Sequence, residues 1–157
     1  MKQANGHVIR LLPALVLCTM LAFPASAETI AETASKWGLI GPWSLDCSLP
    51  PDHARGMVLA YETLPDGGVV HRRDFGDTAD ENPVVTAKVS RDGVLNLRVL
   101  FPAFNEKRDY GLMMQPDGTM RTIYNRNDKK QYTIKGGKFI AGGKPTPLFH
   151  KCKPPGS

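Results

Sequence analysis

The fold of this chain is decided at residues 37–47, which read Trp37-Gly38-Leu39-Ile40-Gly41-Pro42-Trp43-Ser44-Leu45-Asp46-Cys47. The stretch holds both tryptophans of the chain and one of its three cysteines. Trp43, Leu45 and Cys47 alternate along it, so a β-strand would point all three side chains to one face. We therefore predict that it forms the first strand of a small β-barrel and that Trp43 seals one end.

The residues before this stretch have the pattern of an export signal. Lys2 and Arg10 precede an apolar segment at 11–23, and Ala25-Ser26-Ala27 is a small-residue cleavage site. The apolar segment is shorter than the ~20 residues that a membrane-spanning helix needs. We expect a mature protein without a membrane span, in the periplasm or outside the cell. The expected parts of the chain are a removed export signal at 1–27, a single β-barrel domain at 28–152 and a flexible tail at 153–157.

Export also decides the state of the cysteines. Cys18 lies in the leader, so Cys47 and Cys152 are the two that remain after cleavage. In an oxidising compartment such a pair normally forms a disulfide. We expect a bridge from the first strand to the last residues of the domain. The alternative, a free catalytic Cys47, lacks a neighbouring Cys-His motif.

Short strand patterns separated by turn residues fill the rest of the chain. The clearest is Val94 to Phe101, where apolar and polar residues alternate. Asp-Gly and Gly-Gly pairs between the patterns are typical of hairpin turns. Because the connections are short, the eight or nine strands should pair antiparallel in sequence order, and closure would remove exposed edges. We predict an all-β, up-and-down barrel of about eight strands with a short helical turn at 28–36; a two-sheet β-sandwich is the alternative.

The segment Gly41-Pro42-Trp43 resembles the opening of the lipocalins and the wider calycin group. In these up-and-down barrels a short helical turn precedes a Gly-x-Trp motif on the first strand. Residues 108–110, Arg-Asp-Tyr, are similar to the family's second motif, Thr-Asp-Tyr, with Arg in place of Thr. The resemblance implies that Gly41 and Trp43 seal the closed end and that Arg121 or Arg126 packs on the Trp.

Two other groups share this pattern over most of the mature chain. The chain is similar to small exported bacterial proteins with a Gly-x-Trp-x-x-x-Cys opening and a C-terminal cysteine. It is also similar to bacterial metalloprotease inhibitors with an eight-stranded barrel, which block a zinc protease with a free N-terminal segment. The disulfide of those inhibitors is more local than a bridge between Cys47 and Cys152 would be.

The strands with the cleanest alternation supply the predicted inner wall. In an eight-stranded barrel this wall either fills the core or lines a small apolar cavity. We expect a filled or small interior, because few loops are long enough to form a lid. The candidate cavity residues are Leu95, Leu97, Val99, Phe101, Tyr110, Leu112 and Met114.

Charge is distributed unevenly along the chain. The formal net charge is +5, and the two basic residues of the leader reduce it to +3 after cleavage. Residues 28–118 carry nine Lys and Arg against fourteen Asp and Glu, whereas residues 119–157 carry nine against one. Such a split can steer an anionic partner, unless strands of the two halves interleave. The candidate patch consists of Arg121, Arg126, Lys129, Lys130, Lys135 and Lys138.

The sequence contains no motif of a metal site or a common catalytic site. His53, His71 and His150 each stand without a second ligand at metal-site spacing. No nucleophile elbow, phosphate-binding loop or dinucleotide fingerprint occurs. Arg72 and Arg73 beside His71 could hold an anion, but adjacent strand residues face opposite sides of a sheet. We expect no metal, no cofactor and no enzymatic activity.

These features favour an exported, monomeric, non-catalytic binding protein of the lipocalin-like kind. Its expected partner is a small apolar ligand or an anionic protein, polysaccharide or lipid headgroup, and nucleic acid is not expected. Two alternatives stay open, an inhibitor of an exported metalloprotease and an enzyme. A lined cavity would favour carriage, a filled barrel with a projecting end at Glu28 would favour inhibition, and a buried cluster of ionisable residues would favour catalysis.

Overall fold

A computed structural model describes residues 27–53 and 56–153 of the chain. Residues 1–26 of the expected export signal and residues 154–157 of the expected tail lie outside the described residues. The elements in chain order are α1 (Ile30–Trp37), β1 (Gly41–Ser44), β2 (Val58–Thr63), β3 (Val69–Asp74), β4 (Ala79–Val89), β5 (Leu95–Phe101), a 3₁₀ helix (Pro102–Phe104), β6 (Glu106–Met114), β7 (Met120–Asn127), β8 (Tyr132–Lys135), β9 (Lys138–Phe139) and β10 (Leu148–Lys151).

Eight strands close into an antiparallel barrel, which confirms the predicted all-β fold and excludes the sandwich. Strands β1 to β7 pair in sequence order, and β10 closes the ring by pairing with both β7 and β1. The β8–β9 hairpin stands outside this ring. Because β10 pairs with β7 at Met120 and Arg121, and β8 pairs with it at 124–126, two elements share one side of β7.

The helix α1 covers one end of the barrel. Thr29 and Glu32 form a capping box at its start, and Gly38, with a φ of 90°, ends it in the left-handed conformation. The Trp37 indole N–H donates to the carbonyl of Gly93 (2.8 Å), in the turn between β4 and β5. The predicted helical turn is therefore a two-turn helix, and the end that it covers is called the closed end below.

The core lies between the helix and the middle of the barrel. On β5 the side chains of Leu95, Leu97, Val99 and Phe101 are at most 3 % exposed and alternate with partly exposed neighbours. They pack with Trp43 and other members of one apolar cluster. The period-2 pattern of this strand therefore predicted its inward face correctly.

Three predicted elements differ from the structure. Strand β1 ends at Ser44 because residues 45–48 turn away, and the Asp46 carboxylate accepts hydrogen bonds from the backbone N–H and hydroxyl of Ser48. The acidic, polar composition of residues 77–82 favours a loop, but residues from Ala79 onward belong to β4. Residues 125–130 are polar, which favours a turn, but the first three belong to β7.

Cys47 and Cys152 form a disulfide, with their Cα atoms 5.4 Å apart. Cys47 is in the turn after β1, and Cys152 follows β10. The backbone N–H of Cys152 also donates to the carbonyl of Pro42 (2.9 Å). The bridge thus fastens the strand that closes the barrel to the strand that begins it. Within the described ranges, no helix is both long and apolar enough to cross a membrane.

Candidate functional site

Trp43 lies at the closed end of the barrel and is fully buried. Its indole N–H donates to the carbonyl of Leu39 (2.7 Å), so its one polar atom is satisfied. The Lys151 ammonium lies 5.5 Å from the centre of the Trp43 ring. Gly41, with a φ of 121°, passes under Lys151, where a Cβ atom would be 3.4 Å from the lysine Cε.

The cation over Trp43 is therefore Lys151, and the expected role of Arg121 or Arg126 there is wrong. Arg121 lies on β7 beside the β8–β9 turn, where a Cβ atom added to Gly137 would be 3.6 Å from the arginine Cδ. Arg126 lies further along β7 and pairs with Asp109. Lys151 reaches the indole because β10 pairs directly with β1 at Trp43, a neighbour relation that only barrel closure creates.

Most of the predicted cavity residues fill the barrel instead of lining a cavity. Leu95, Leu97, Val99 and Leu112 are buried within the apolar cluster, and Met114 packs against it. The other two, Phe101 and Tyr110, lie farther from the closed end and line unfilled space inside the barrel. The interior is thus packed at the closed end and hollow toward the opposite, open end.

The hollow part is a cavity of about 220 Å³ in the side of the barrel, called the side cavity below. It lies where β10 ends and the β8–β9 hairpin takes its place beside β7. Its walls combine residues of β2 and β3 with residues of β6 to β9 and of the segment that leads into β10. Residues from several strands and the segment before β10 line it, and most are aromatic or aliphatic. They are Met57, Leu59, Tyr61, His71, Arg73, Tyr110, Thr122, Asn125, Ile134, Phe139, Thr146, Pro147 and Phe149.

A polar recess of about 400 Å³ forms the open end, and it shares Arg73, Tyr110 and Asn125 with the side cavity. Its two arginines each form an ion pair with a carboxylate of the protein. The Arg73 guanidinium forms an ion pair with Asp80, and its centre lies 4.8 Å from that of the Phe101 ring. Hydrogen bonding from Arg73 is the main reason why the pKa of Asp80 is below its usual range.

The second arginine, Arg108, makes three contacts in the same recess. Its guanidinium pairs with Glu106 (2.6 Å) and donates to Asn125 Oδ1 (2.7 Å) and Thr133 Oγ1 (3.1 Å). Each arginine of the open end therefore has a carboxylate of its own. The recess is polar, but its charges are compensated within the protein.

His71 is the most unusual side chain of the side cavity. It is 3 % exposed, and neither Nδ1 nor Nε2 has a hydrogen-bond partner. Its ring stacks on Tyr61, with centroids 4.7 Å apart, and meets Tyr110 edge-on at 6.1 Å. Burial, with a smaller contribution from the charge of Arg73, lowers the pKa of His71 to about 3. The imidazole is therefore neutral at physiological pH.

In the sequence His71 stands without a second metal ligand at a suitable spacing, and that pattern gave no indication of the cavity. The alternation Leu59, Tyr61 on β2 and His71, Arg73 on β3 was available as a signal for an inward face. Arg72 faces outward, where its guanidinium lies 2.5 Å from Glu81, so the prediction that Arg72 and Arg73 lie on opposite faces is correct. What the sequence did not indicate is that the β8–β9 hairpin supplies the opposite wall.

The outer face of β5 to β8 carries much of the predicted cationic patch. The guanidinium of Arg126 is 5.8 Å from the ring centres of both Tyr124 and Tyr132, and the Lys135 ammonium is 5.5 Å from the latter. Arg126 and Lys130 line one groove of about 330 Å³. Lys138 pairs with Lys135 in the β8–β9 register, whereas Lys129 is exposed beside the groove and Arg121 lies apart from it. Tyr124 and Tyr132 are thus part of this outer surface and not of the core.

Among residues 27–53 and 56–153, no three His, Cys, Asp or Glu side chains are grouped so that they could hold a metal ion. Comparison of the chain with known protein families, with characterised proteins and with solved structures found no match.

Proposed function

We propose that this protein is an exported, non-catalytic binding protein that carries a small, mainly apolar ligand in the side cavity. The observation that supports this best is the cavity itself, an apolar space between Leu59 and Tyr61 on one side and Ile134 and Phe139 on the other. Ligand sites of this kind are concave and mostly apolar, with a few polar groups that fix orientation. The disulfide supports export, since such bridges persist in oxidising compartments.

The size of the side cavity limits the ligand. At about 220 Å³ it is larger than an apolar cavity of ~150 Å³ that is able to hold benzene. It is smaller than the ~300–1,000 Å³ typical of sites for drug-sized molecules. The fitting ligand is a single ring or a short branched chain. Carriage of such a ligand in a barrel is the role that the lipocalin-like pattern of the sequence implies.

The carboxylates of the open end are neutralised by arginines, which favours a binding function over acid–base catalysis. Asp80 and Glu106 are each paired with an arginine at the open end, and the pKa of Asp80 is lowered. A general acid at neutral pH needs a raised carboxyl pKa. The inhibitor alternative needs a free segment near Glu28, but this carboxylate pairs with Lys36 of α1 at 2.5 Å and gives that alternative no support.

A blocking substitution tests the proposal. Ile134→Trp fills the side cavity from β8, whereas Ile140→Trp adds the same side chain at a site that is 57 % exposed. Toluene, titrated into the oxidised protein and followed by NMR, should bind the wild type and Ile140→Trp but not Ile134→Trp. Native mass spectrometry of the protein exported by its own host should also detect a co-purified small molecule. Failure of the wild type to bind either toluene or phenol would refute the proposal.

A second candidate is an anionic partner for the outer groove. The observation that favours it is the row formed by Tyr124, Arg126, Tyr132 and Lys135, in which cations and aromatic rings alternate. Aromatic faces flanked by cations suit the rings and carboxylates of an acidic polysaccharide. The salt dependence of heparin binding tests this candidate separately from the cavity.

A further inference from the structure

The two nitrogens of His71 are buried without a partner, which is uncommon in a folded protein. An unsatisfied buried polar atom costs about 1–3 kcal/mol. Such a cost is tolerated most readily where a bound molecule removes it. His71 lies in the wall of the side cavity, so a ligand in that cavity is the group best placed to do so.

Charged ligands are a poor match for this position. An anion would need a free cation, but Arg73 is paired with Asp80 and Arg108 is paired with Glu106. A cation would need one of these same carboxylates. The surrounding rings of Tyr61, Tyr110 and Phe101 offer little solvation to an unpaired charge. The group that meets His71 is therefore uncharged.

A neutral imidazole presents one N–H donor and one acceptor nitrogen. A hydroxyl group can serve either nitrogen, because it both donates and accepts. A carbonyl or ether oxygen serves the donor alone. We infer, building on the proposed function, that the ligand of the side cavity is a small phenol or aromatic alcohol whose hydroxyl group hydrogen-bonds to the His71 imidazole.

The aromatic walls agree with this class. Tyr61 stacks on His71, and Tyr110 and Phe101 contact its ring edge-on, so the cavity already packs flat rings against one another. Both His71 nitrogens lie beneath the cavity surface. The imidazole must turn or slide on Tyr61 to meet the hydroxyl, and binding should therefore change the NMR signals of both rings.

Phenol and toluene are matched probes, since they differ by one hydroxyl in place of one methyl. Each is titrated into the oxidised, full mature protein with ¹⁵N-labelled histidine. Phenol should shift the His71 ring nitrogens and leave those of His53 and His150 in place, whereas toluene should bind without a comparable shift at His71. His71→Leu should lower the ratio of phenol affinity to toluene affinity by about tenfold, and the variant His71→Gln, which keeps a donor and an acceptor, should restore part of it.

The outcomes separate this inference from the proposed function. If both probes bind and phenol leaves the His71 nitrogens unchanged, the hydroxyl inference is wrong and the cavity proposal stands. If neither probe binds, both are wrong. Because the nitrogen shifts are measured on the wild type, a variant that fails to fold does not prevent the decision.

Discussion

Trp43 and Trp37 are both indoles with a satisfied N–H, but they differ in burial. Trp43 is fully buried in the main cluster, whereas Trp37 is partly buried at the end of α1. Replacement of a large buried aromatic by alanine removes its contacts and leaves a cavity. Trp43→Ala should therefore destabilise the barrel by about 3–5 kcal/mol, and Trp37→Ala should cost less. Urea unfolding of the two variants measures this, and equal, small losses would show that Trp43 does not seal the barrel.

His71 should make the stability of the barrel depend on pH. Its pKa is lowered to about 3 in the folded state and is ~6.5 in an unfolded chain. Between these values the unfolded state binds the extra proton, so the stability of the fold is complete above pH 6.5 and falls as the pH drops toward 3. From pH 7 to pH 4.5 the loss due to His71 should be about 2–3 kcal/mol.

Comparison with His71→Leu isolates this contribution. The groups that face His71 are Tyr61, Tyr110, Arg73 and Asp80. Of these, Asp80 is the one that titrates in acid, and its lowered pKa keeps it ionised through this range. Urea unfolding at pH 7 and pH 4.5 should show a smaller loss in the variant. Parallel losses in the two proteins would contradict a neutral, buried His71.

Among the strands, β10 is the one whose position in the barrel we expect to depend on the disulfide. It has four residues and pairs with β7 and β1 through two residues each. The disulfide beside it spans 105 residues of chain, and in the chain-entropy model a loop of ~100 residues stabilises by ~4.7 kcal/mol. The double variant Cys47→Ser, Cys152→Ser should lose about 2–5 kcal/mol in urea unfolding.

Reduced wild type provides the control for that variant, because it keeps both sulfur atoms and lacks only the bond. It should unfold at the same urea concentration as the double variant. Unfolding of both at the midpoint of the oxidised protein would mean that strand pairing alone holds β10 in place.

Two β-bulges explain where sequence periodicity failed within elements. A register shift between Val84 and Thr86 leaves Val85 40 % exposed, although strict alternation along the strand would place it on the same face as Ala87. A second shift on β7 lies opposite Gly111, where a Cβ atom would be 2.2 Å from the Tyr124 ring. Tyr124 can lie flat on the outer face because position 111 is glycine.

At the scale of the whole molecule, the order of strands preserves the charge split of the sequence. Because β1 to β7 pair in sequence order, the acidic and basic halves occupy different sides of the barrel. They meet at the β6–β7 and β1–β10 boundaries. Near the first of these, Asp109 pairs with Arg126 and Arg98 pairs with Asp128. Lys129, Lys130, Lys135 and Lys138 are exposed on the basic side.

The triple variant Lys129→Glu, Lys130→Glu, Lys135→Glu should elute from heparin at lower salt than the wild type, because it reverses charge beside the outer groove. Binding of the wild type to heparin should itself weaken as the salt concentration rises, because salt screens the charges: the Debye length is already ~8 Å at 0.15 M. The matched control is Lys36→Glu, Arg91→Glu, Lys107→Glu, which changes net charge equally in the acidic half. Equal elution of both triple variants would show that net charge alone governs retention.

Local properties of the chain were enough to predict the barrel. Alternation on β5, turn residues between strands and the two cysteines outside the expected export signal indicated the fold class, the inward face of Leu95 to Phe101 and the disulfide. These features depend on neighbours two residues apart or on the count of one residue type. They can therefore be recognised in the sequence without knowledge of the tertiary structure.

The side cavity was decided by tertiary structure alone. It exists because β10 covers only the first part of β7 and the β8–β9 hairpin covers the rest, so Ile134 and Tyr61 line one cavity from distant parts of the sequence. The burial of His71 without hydrogen-bond partners has the same origin. The same is true of the position of Lys151 over Trp43. Each depends on which strands meet when the barrel closes, and pairing between distant segments leaves no periodic signal in either of them.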